Sequence, residues 1–389
     1  MYDVPHLRFP EFGGEWRKYK LAEICSFFSG GTPSSSKKEY YDGNIPFIRS
    51  GELHMDKTEL FITEVGLDNS AAKIVDVGDL LLALYGATSG DIAISQIKGA
   101  INQAILCIRT TQNKKFIESV WKKHVEKLLQ TYLQGGQGNL SADIVKNISF
   151  YFAESNEQIK LAKFITLLDE RIATQNKIIE DLKKLKSVII DYAFTNNKDV
   201  EREQILLSDI STKITRKNTD NRISNVLSNS ANQGVVPQSG VFDREIANEE
   251  NISNYIVISY NDFVYNPRKS AIAPYGPINK YNGELKGVIS PLYLCFRTHD
   301  INAEYLAWYF KSRLWHEYIY KNGDAGIRHD RVSIKDDVFF SMPLKIHSKL
   351  EQGRIANKLN KIESFVMHEI QYLSLVQTQK YFLLQQMFI

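Results

Sequence analysis

The sequence contains two copies of one unit, and this internal repeat constrains the fold more than any other feature. The segment LCIRT (Leu106–Thr110) returns 188 residues later as LCFRT (Leu294–Thr298). The segment EQIKLA (Glu157–Ala162) returns 194 residues later as EQGRIA (Glu351–Ala356). Because both separations are close to half of the 389 residues, we predict two structurally equivalent halves whose insertions are confined to loops.

Each half begins with a strand-rich region and ends with a long helix. Short β-branched and aromatic runs, such as Ala100–Arg109, are broken by Gly, Asn and Asp and predict strands. Helical spacing follows at 113–134 and again at Ile301–Lys321. We therefore expect an α+β fold with two strand-rich domains in tandem, each followed by a long helix. The predicted segments are 1–152 for the first domain, 153–198 for the first long helix, 199–346 for the second domain and 347–389 for the second long helix.

The two long helices share a heptad pattern that is typical of helices packed against each other. Two near-equal copies, ending alike at Phe194 and Phe388, favour an antiparallel coiled coil with pseudo-twofold symmetry over a helix packed inside one domain. Lys186 and Lys380 occupy the same seam position, as do Gln175 and Glu369, and they would fix the register if each pair met face to face. The predicted seam residues are Leu161, Ile165, Leu168, Ile172, Ile179, Leu182, Ile355, Leu359, Ile362, Val366, Leu373 and Val376.

Composition narrows the class of protein. The three cysteines include no CxxC pair, which argues against a disulfide framework or a zinc ribbon and fits a reducing compartment. No apolar run reaches the roughly 18 residues of a membrane span, and the polar start has no signal-peptide core. We expect a cytoplasmic protein without membrane contact. A net charge of +3 adds little attraction for a polyanion, so phosphate binding requires cations clustered on one face or supplied by another subunit.

Enzymatic motifs are missing from the sequence. It contains no phosphate-binding GxxxxGK[ST] loop, no GxGxxG, no HExxH and no GxSxG. The segment YNPR (Tyr265–Arg268) lacks the second proline and the aromatic of the amino-methyltransferase loop, and no Pro-Asp precedes Glu284 to complete a nuclease carboxylate pair. The eight histidines lack metal-ligand spacing. We therefore predict no catalytic residue and no metal site in this chain.

Loops rich in hydrogen-bond donors are the remaining candidates for function. The loop Ser29–Lys38 offers backbone amides, hydroxyls and two ammonium groups, which suit phosphate oxygens and base edges, although a solvated surface loop is the alternative. The corresponding loops of the second half differ while the framework matches, a pattern that favours reading two different short DNA sequences. The candidate DNA-binding residues are Gly31, Thr32, Ser34, Ser35, Ser36, Lys37, Lys38, Arg49, Thr88, Ser89, Gln137 and Asn139 in the first half, and Lys213, Arg216, Lys217, Asn229, Ser230, Arg268, Lys269, Arg328, His329 and Arg331 in the second.

These segments together resemble the specificity (S) subunits of type I restriction-modification systems. The resemblance covers essentially the whole chain, but the second half lacks the GGTPS segment. The matching segments are SGGTPS (Ser29–Ser34), YYDGNIPFIRSGEL (Tyr40–Leu53), GDLLLALYG (Gly78–Gly86), GGQGNLS (135–141), NEQIKLAKFITLLDERI (Asn156–Ile172) and its repeat EQGRIANKLNKIE (Glu351–Glu363).

The resemblance implies a division of labour between subunits. Two target recognition domains would each read one half of a split, asymmetric DNA target, and the long helices would set the gap between the halves. Modification subunits would bring S-adenosylmethionine to methylate adenine, and restriction subunits would add ATP-driven translocation and cleavage. Neither cofactor would bind this chain. The alternatives are a single-chain DNA methyltransferase or nuclease with an untypical motif, and a coiled-coil scaffold that does not bind DNA.

Overall fold

The computed structural model describes residues 4–133, 139–196, 201–238, 249–324 and 330–389. The chain divides into two compact units, Met1–Lys177 with Gln371–Ile389, and Ile178–Ile370. Each unit therefore contains one strand-rich region together with a part of both long helices. The helices are α1 (Leu21–Ile24), α2 (Glu64–Asp68), α3 (Lys114–Leu133), α4 (Ala142–Asn147), α5 (Ser155–Asp191), α6 (Ala303–Tyr309), α7 (His316–Asn322), α8 (Asp336–Phe340) and α9 (Lys349–Met387).

The described strands of the first unit form two four-stranded sheets and one two-stranded sheet. The strands are β1 (Arg17–Lys20), β2 (Cys25–Ser29), β3 (Tyr41–Ile48), β4 (Leu60–Ile62), β5 (Lys73–Val75), β6 (Leu80–Ala83), β7 (Ile92–Ile94), β8 (Gly99–Ile101), β9 (Ile105–Thr110) and β10 (Ser149–Phe152). The sheet orders are β2-β9-β6-β7, β4-β3-β8-β5 and β1-β10. Pairing is antiparallel except between β3 and β8.

The second unit repeats this topology strand for strand. Its strands are β11 (Glu203–Leu206), β12 (Ser211–Lys213), β13 (Val226–Ser230), β14 (Gly234–Pro237), β15 (Ile256–Ile258), β16 (Phe263–Tyr265), β17 (Ile278–Lys280), β18 (Gly287–Ile289), β19 (Leu294–Thr298) and β20 (Pro343–Ile346). Their orders are β12-β19-β16-β17, β14-β13-β18-β15 and β11-β20, and the β13–β18 pair is again parallel. The predicted fold of two equivalent strand-rich domains, each followed by a long helix, is confirmed.

The apolar run of β6 shows how the core specifies a strand. Leu80 and Leu82 face one hydrophobic cluster, whereas Leu81 and Ala83 face another, and all four side chains are buried. Alternate side chains of a strand point to opposite faces, so a strand covered on both faces needs a continuous apolar sequence. Further along the chain, a turn at Asn102 divides the predicted strand 100–109 into β8 and β9. In this turn, Oδ1 of Asn102 accepts a hydrogen bond from the amide of Ala104 at 3.1 Å.

One predicted helix forms as a single element, and another is divided into two. The predicted helix 113–134 corresponds to α3, with the side chain of Asn113 accepting from the amide of Phe116 at 3.0 Å. The predicted helix Ile301–Lys321 is wrong as a single element because the chain forms α6 and α7 instead. Between them, the buried hydroxyl of Ser312 donates to the carbonyl of Tyr309 at 2.6 Å, an interaction that competes with helix continuation.

Within each unit, the parts of α5 and α9 lie antiparallel. Leu161 near the start of α5 shares a core cluster with Met387 at the end of α9, and Ile190 near the end of α5 shares one with Ala356 near the start of α9. All twelve predicted seam residues are buried or half-buried. Lys186 and Lys380, which share a seam position in the repeat, are each paired with a carboxylate.

The end of the first long helix packs in the hydrophobic core of the second unit, and the end of the second long helix packs in the core of the first unit. Phe388 packs against Trp16 and Phe116 in the first unit, with ring centroids 6.4 and 5.4 Å apart. Phe194 packs against Tyr305 and Tyr309 in the second unit, at 5.3 and 5.7 Å. Each compact unit therefore combines the strands of one half with the end of the long helix of the other half.

Candidate nucleic-acid interface

A repeated aspartate–arginine pair fixes the strands that lead to the candidate loops. Asp79, one residue before β6, accepts from Arg109 Nη2 at 2.7 Å, and Asp262, one residue before β16, accepts from Arg297 Nε at 2.7 Å. Burial opposes ionisation of Asp79, but the bonds from Arg109 outweigh it and lower the pKa of that carboxyl. The arginines belong to the repeated LCIRT and LCFRT segments, so this repeated motif is a structural anchor rather than a binding site.

A repeated glutamine docks each long helix onto the preceding domain. Gln158 accepts from the amide of Asn113 at 3.2 Å and donates to the carbonyl of Ala153 at 2.8 Å. Its counterpart Gln352 accepts from the amide of Asn302 at 3.1 Å and donates to the carbonyl of residue 347 at 2.8 Å. These bonds account for the repeated glutamine at the start of both helices.

In the first unit, hydrogen bonds join three of the predicted loops in series. Thr32 Oγ1 donates to Gln103 Oε1 at 2.6 Å, which ties the loop after β2 to the β8–β9 turn. The amide of Leu84 donates to Ala104 of that turn at 2.8 Å, and the amide of Leu140 donates to the carbonyl of Leu84 at 3.0 Å. The loop after β2, the loop after β6 and the segment that contains Asn139 therefore meet at one end of the domain.

The loop after β2 exposes most of its predicted donors. Thr32, Lys37, Lys38 and the three serines 34–36 are exposed, and Ser34 and Ser36 are hydrogen-bonded to each other at 2.8 Å. Lys37 Nζ donates to the hydroxyl of Tyr40 at 2.8 Å, and this bond raises the pKa of Lys37. These groups remain available to a phosphate backbone.

Two predicted residues of the first unit have structural roles instead. Gly31 is buried, and a Cβ at this position would lie 2.6 Å from the Cβ of Ala71, so the loop needs glycine for packing. The guanidinium of Arg49 is held by Glu52 at 3.1 Å and by Glu59 at 2.5 Å, bonds that raise the pKa of Arg49. With two carboxylates around it, Arg49 does not present a free cation, and neither residue is retained as a DNA contact.

The loop after β6 is closed by its own backbone. The amide of Gly90 donates to Ala83 at 2.9 Å, and Ser89 Oγ donates to the carbonyl of Leu84 at 3.0 Å. The predicted contact Ser89 is therefore used inside the loop, and Thr88 is half-buried. Tyr85, which the sequence reasoning missed, is exposed at the start of this loop. Its signal in the sequence was an aromatic residue followed by glycine directly after a buried strand.

In the second unit, the equivalent segments converge in the same way. The amide of Val332 donates to the carbonyl of Pro267 at 2.9 Å, and the amide of Lys269 donates to Asp330 at 2.8 Å. Arg268 and Arg331 face each other as an isolated antiparallel bridge. The structure thus brings Arg268, Lys269 and Arg331 together, as the hypothesis of a binding surface requires.

A cleft of about 430 Å³ opens beside these residues. Its charged groups are partly paired: Lys213 forms an ion pair with Asp336, and the Nε atoms of Arg268 and Arg331 both lie 3.8 Å from Asp330. Arg268 keeps 66% of its side chain exposed. The lining of the cleft includes Lys213, Tyr265, Leu292, Asp324, Arg331 and Asp336.

The other predictions in the second half have mixed outcomes. Asn229 is wrong as a DNA contact because its buried amide donates to the carbonyls of Val264 and Pro277 at 2.7 and 3.2 Å. The hydroxyl of Ser230 accepts from the two amides that follow in the turn, at 3.3 and 3.4 Å. Arg216 and Lys217 are exposed beside β15. Three predicted residues, Gln137, Arg328 and His329, lie outside the described residues.

Metal-ligand clusters and membrane-spanning helices are absent from the described residues. No group of three or more His, Cys, Asp or Glu among them could hold a metal ion. In the same part of the chain, no helix is long and apolar enough to cross a membrane. Cys107 and Cys295 are buried, and burial raises the pKa of both thiols to about 12, as expected for core residues. The loop surfaces described above are therefore the candidate functional sites.

Comparison with known proteins finds similarity to DNA specificity domains and specificity subunits. Residues 13–184 match the family described as "Type I restriction modification DNA specificity domain". The match covers 172 of the 389 residues, so the first half of the chain is similar to this family of DNA specificity domains. The MjaVIII specificity subunit of Methanocaldococcus jannaschii is 25% identical over 194 residues, which cover 49% of this chain and 43% of the relative. The EcoR124I/EcoR124II specificity subunit of Escherichia coli is 26% identical over 189 residues, 46% of either chain. These matches thus span about half the length of the curated relatives.

Solved S subunits share the fold over nearly the whole chain. The S subunit of a type I system from M. genitalium superposes with a TM-score of 0.58 at 14% identity, and 99% of both chains is covered. A second structure is described as the structural basis of complex assembly and conformational transition of the type I R-M system. It superposes with a TM-score of 0.57 at 15% identity, and 95% of this chain and 96% of the other chain are covered. At these identities the likeness establishes the S-subunit fold.

Proposed function

We propose that this chain is the sequence-specific DNA-recognition subunit of a type I restriction-modification system. Each strand-rich domain reads one half of a bipartite, asymmetric duplex target. The observation that carries the proposal is that two domains of identical topology present different side chains from equivalent converging loops. Sequence is read at base edges whereas phosphate contacts only set position, so one framework with two loop sets suits two different half-sites.

The chain itself performs no chemistry in this proposal. Enzymes that modify a base in duplex DNA extrude it from the stack into their own active site, so a recognition subunit needs only to hold the duplex in register. Modification subunits would bind S-adenosylmethionine and methylate adenine, and restriction subunits would use ATP. At roughly 1.5 Å per residue, the 37 residues of α5 span about 56 Å, enough to act as a spacer longer than one turn of B-DNA, about 34 Å. The buried thiols are compatible with a cytoplasmic protein.

The test is to express this chain with a type I modification subunit and to map methylated adenines in the host DNA. The expected result is methylation within one bipartite motif, absent when either subunit is omitted. The purified chain alone, given S-adenosylmethionine or magnesium and duplex DNA, is expected neither to methylate nor to cut it. Methylation or cleavage by the chain alone would favour the single-chain enzyme. An assembled complex that binds all duplexes equally, or none, would favour the scaffold.

A further inference from the structure

Tyr85 and Arg268 occupy the same place in the two domains. Leu80 of β6 lies opposite Ile108, and Phe263 of β16 lies opposite Phe296, the corresponding residue of the second LCxRT segment. Counting five residues onward from Leu80 and from Phe263 reaches Tyr85 and Arg268. Tyr85 and Arg268 therefore occupy equivalent positions in the loops that follow β6 and β16.

The backbone bonds beside them confirm the equivalence. The residue before Tyr85 accepts from the amide of Leu140 at 3.0 Å, and the residue before Arg268 accepts from the amide of Val332 at 2.9 Å. Leu140 precedes the short helix α4, and Val332 precedes the short helix α8. Each side chain thus leaves the backbone where two loops are joined.

Both positions are held firmly and remain accessible. The carbonyl next to Tyr85 also accepts from Ser89 Oγ at 3.0 Å, and Gly86 adopts a φ of +77° with nothing within 4 Å of where its Cβ would be. The amide of Arg268 donates to Asn266 Oδ1 at 3.0 Å. A fixed backbone with an exposed side chain lowers the ordering entropy that binding requires. Tyr85 is 38% exposed and Arg268 66%.

The chemistry of the two side chains differs in the way that two half-sites require. A guanidinium pairs with O6 and N7 of guanine in the major groove, whereas an aromatic ring offers apolar contact to the methyl group of thymine and carries no charge for phosphate. The 3.8 Å distance from Arg268 Nε to Asp330 exceeds a hydrogen bond, so the arginine remains able to exchange this carboxylate for a base. We propose that Tyr85 and Arg268 are equivalent specificity-determining residues, with Tyr85 contacting thymine in one half-site and Arg268 reading guanine in the other. This inference rests on the proposed function.

The experiment is selection from random duplexes by the assembly described above, with the wild-type chain, Tyr85→Arg and Arg268→Tyr. Tyr85→Arg is expected to move the preference at one position of one half-site from thymine to guanine by roughly 5- to 150-fold. Arg268→Tyr is expected to lose a guanine in the other half-site and leave the first unchanged. Tyr85→Phe retains the thymine preference, and thermal unfolding of each variant checks that it folds.

The matched control is Phe61→Arg, because Phe61 is also an exposed aromatic of the first unit, at 38% exposure. This change is expected to leave the motif unaltered. A wild-type motif retained by both Tyr85→Arg and Arg268→Tyr, or changes by both in the same half-site, would overturn the inference and leave the proposed function standing. A wild-type assembly that enriches no motif would instead overturn the proposed function itself.

Discussion

Lys380 of the second long helix donates a hydrogen bond to Asp169 of the first, and the internal repeat reproduces this contact as Lys186 with Glu363. Each residue of one pair lies 194 positions from its counterpart in the other. One pair belongs to the first unit and the other to the second. A charged contact that appears twice at the same heptad step sets the register of two antiparallel helices in each unit.

The two pairs are expected to differ in strength. Asp169 also accepts from Lys115 at 2.7 Å and keeps 32% of its side chain exposed, whereas Glu363 keeps 41%. Asp169→Asn should lower the free energy of unfolding by about 1–3 kcal/mol, because it removes the carboxylate paired with Lys380 and one of the two carboxylates paired with Lys115. Glu363→Gln, the matched control, should cost about 1 kcal/mol or less. Urea unfolding measures both, and an equal loss in the two variants would contradict the assignment.

The contribution of Asp169 should depend on pH. Burial opposes its ionisation, but hydrogen bonds from Lys115 and Lys380 outweigh this and lower its pKa. A lowered folded pKa gives stability that is present above the ordinary aspartate pKa of about 3.9 and is lost as the pH falls through the lowered value. The stability difference between wild type and Asp169→Asn should be constant above about pH 5 and shrink in acid. A difference that grows in acid would show the opposite pKa shift.

The glutamines at the starts of the long helices should contribute similarly to stability. Gln158→Ala and Gln352→Ala each remove a buried side chain that makes two bonds to the backbone, and Gln158 also donates to Gln112 Oε1 at 2.8 Å. Each change should cost about 1–3 kcal/mol, because buried polar groups lose their partners. The residues lie in separate units, so the losses should add to within about 0.5 kcal/mol in the double variant. Strong non-additivity in chemical unfolding would contradict this independence.

The aromatic ends of the helices should contribute strongly to stability. Phe388→Ala removes a ring that is 1% exposed among Trp16 and Phe116, and the expected cost is about 3–5 kcal/mol. Phe382→Ala, near the end of α9 and 57% exposed, should change stability by less than about 0.5 kcal/mol. Hydrogen exchange should show the loss of protection in the first unit. Similar effects of the two changes would mean that the helix end is not part of the core.

Binding to DNA should separate base-reading residues from phosphate-binding residues. Arg268→Ala in the assembled complex should cost about 1–3 kcal/mol on the specific duplex and relax one base position, whereas Arg222→Ala, also exposed, should not. Lys37→Ala should weaken all duplexes about equally and reduce the salt slope of binding by about 1. Gel shifts over a salt series measure both effects. If Arg268→Ala weakens binding but leaves the base preference unchanged, Arg268 contacts a phosphate and does not read a base.

Much of the architecture followed from the order of residues alone. The repeat of LCIRT and of Glu-Gln predicted two equivalent halves, and the structure gives the reason: Arg109 and Gln158 make bonds that Arg297 and Gln352 make again. The heptad seam was visible because helix packing imposes a local period on the sequence. The break between α6 and α7 was not visible, because it depends on a buried serine whose environment is built by distant residues.

The candidate site could be predicted only in part from the sequence. Donor-rich loops could be located, since turn-forming and polar residues cluster in them. Only the tertiary structure decided that Asn229 is buried, that Arg49 is neutralised by Glu59, and that Tyr85 stands where Arg268 does. Local patterns reflect the periodicity of the backbone, whereas burial and charge pairing depend on residues that are far apart in the chain and meet only after folding.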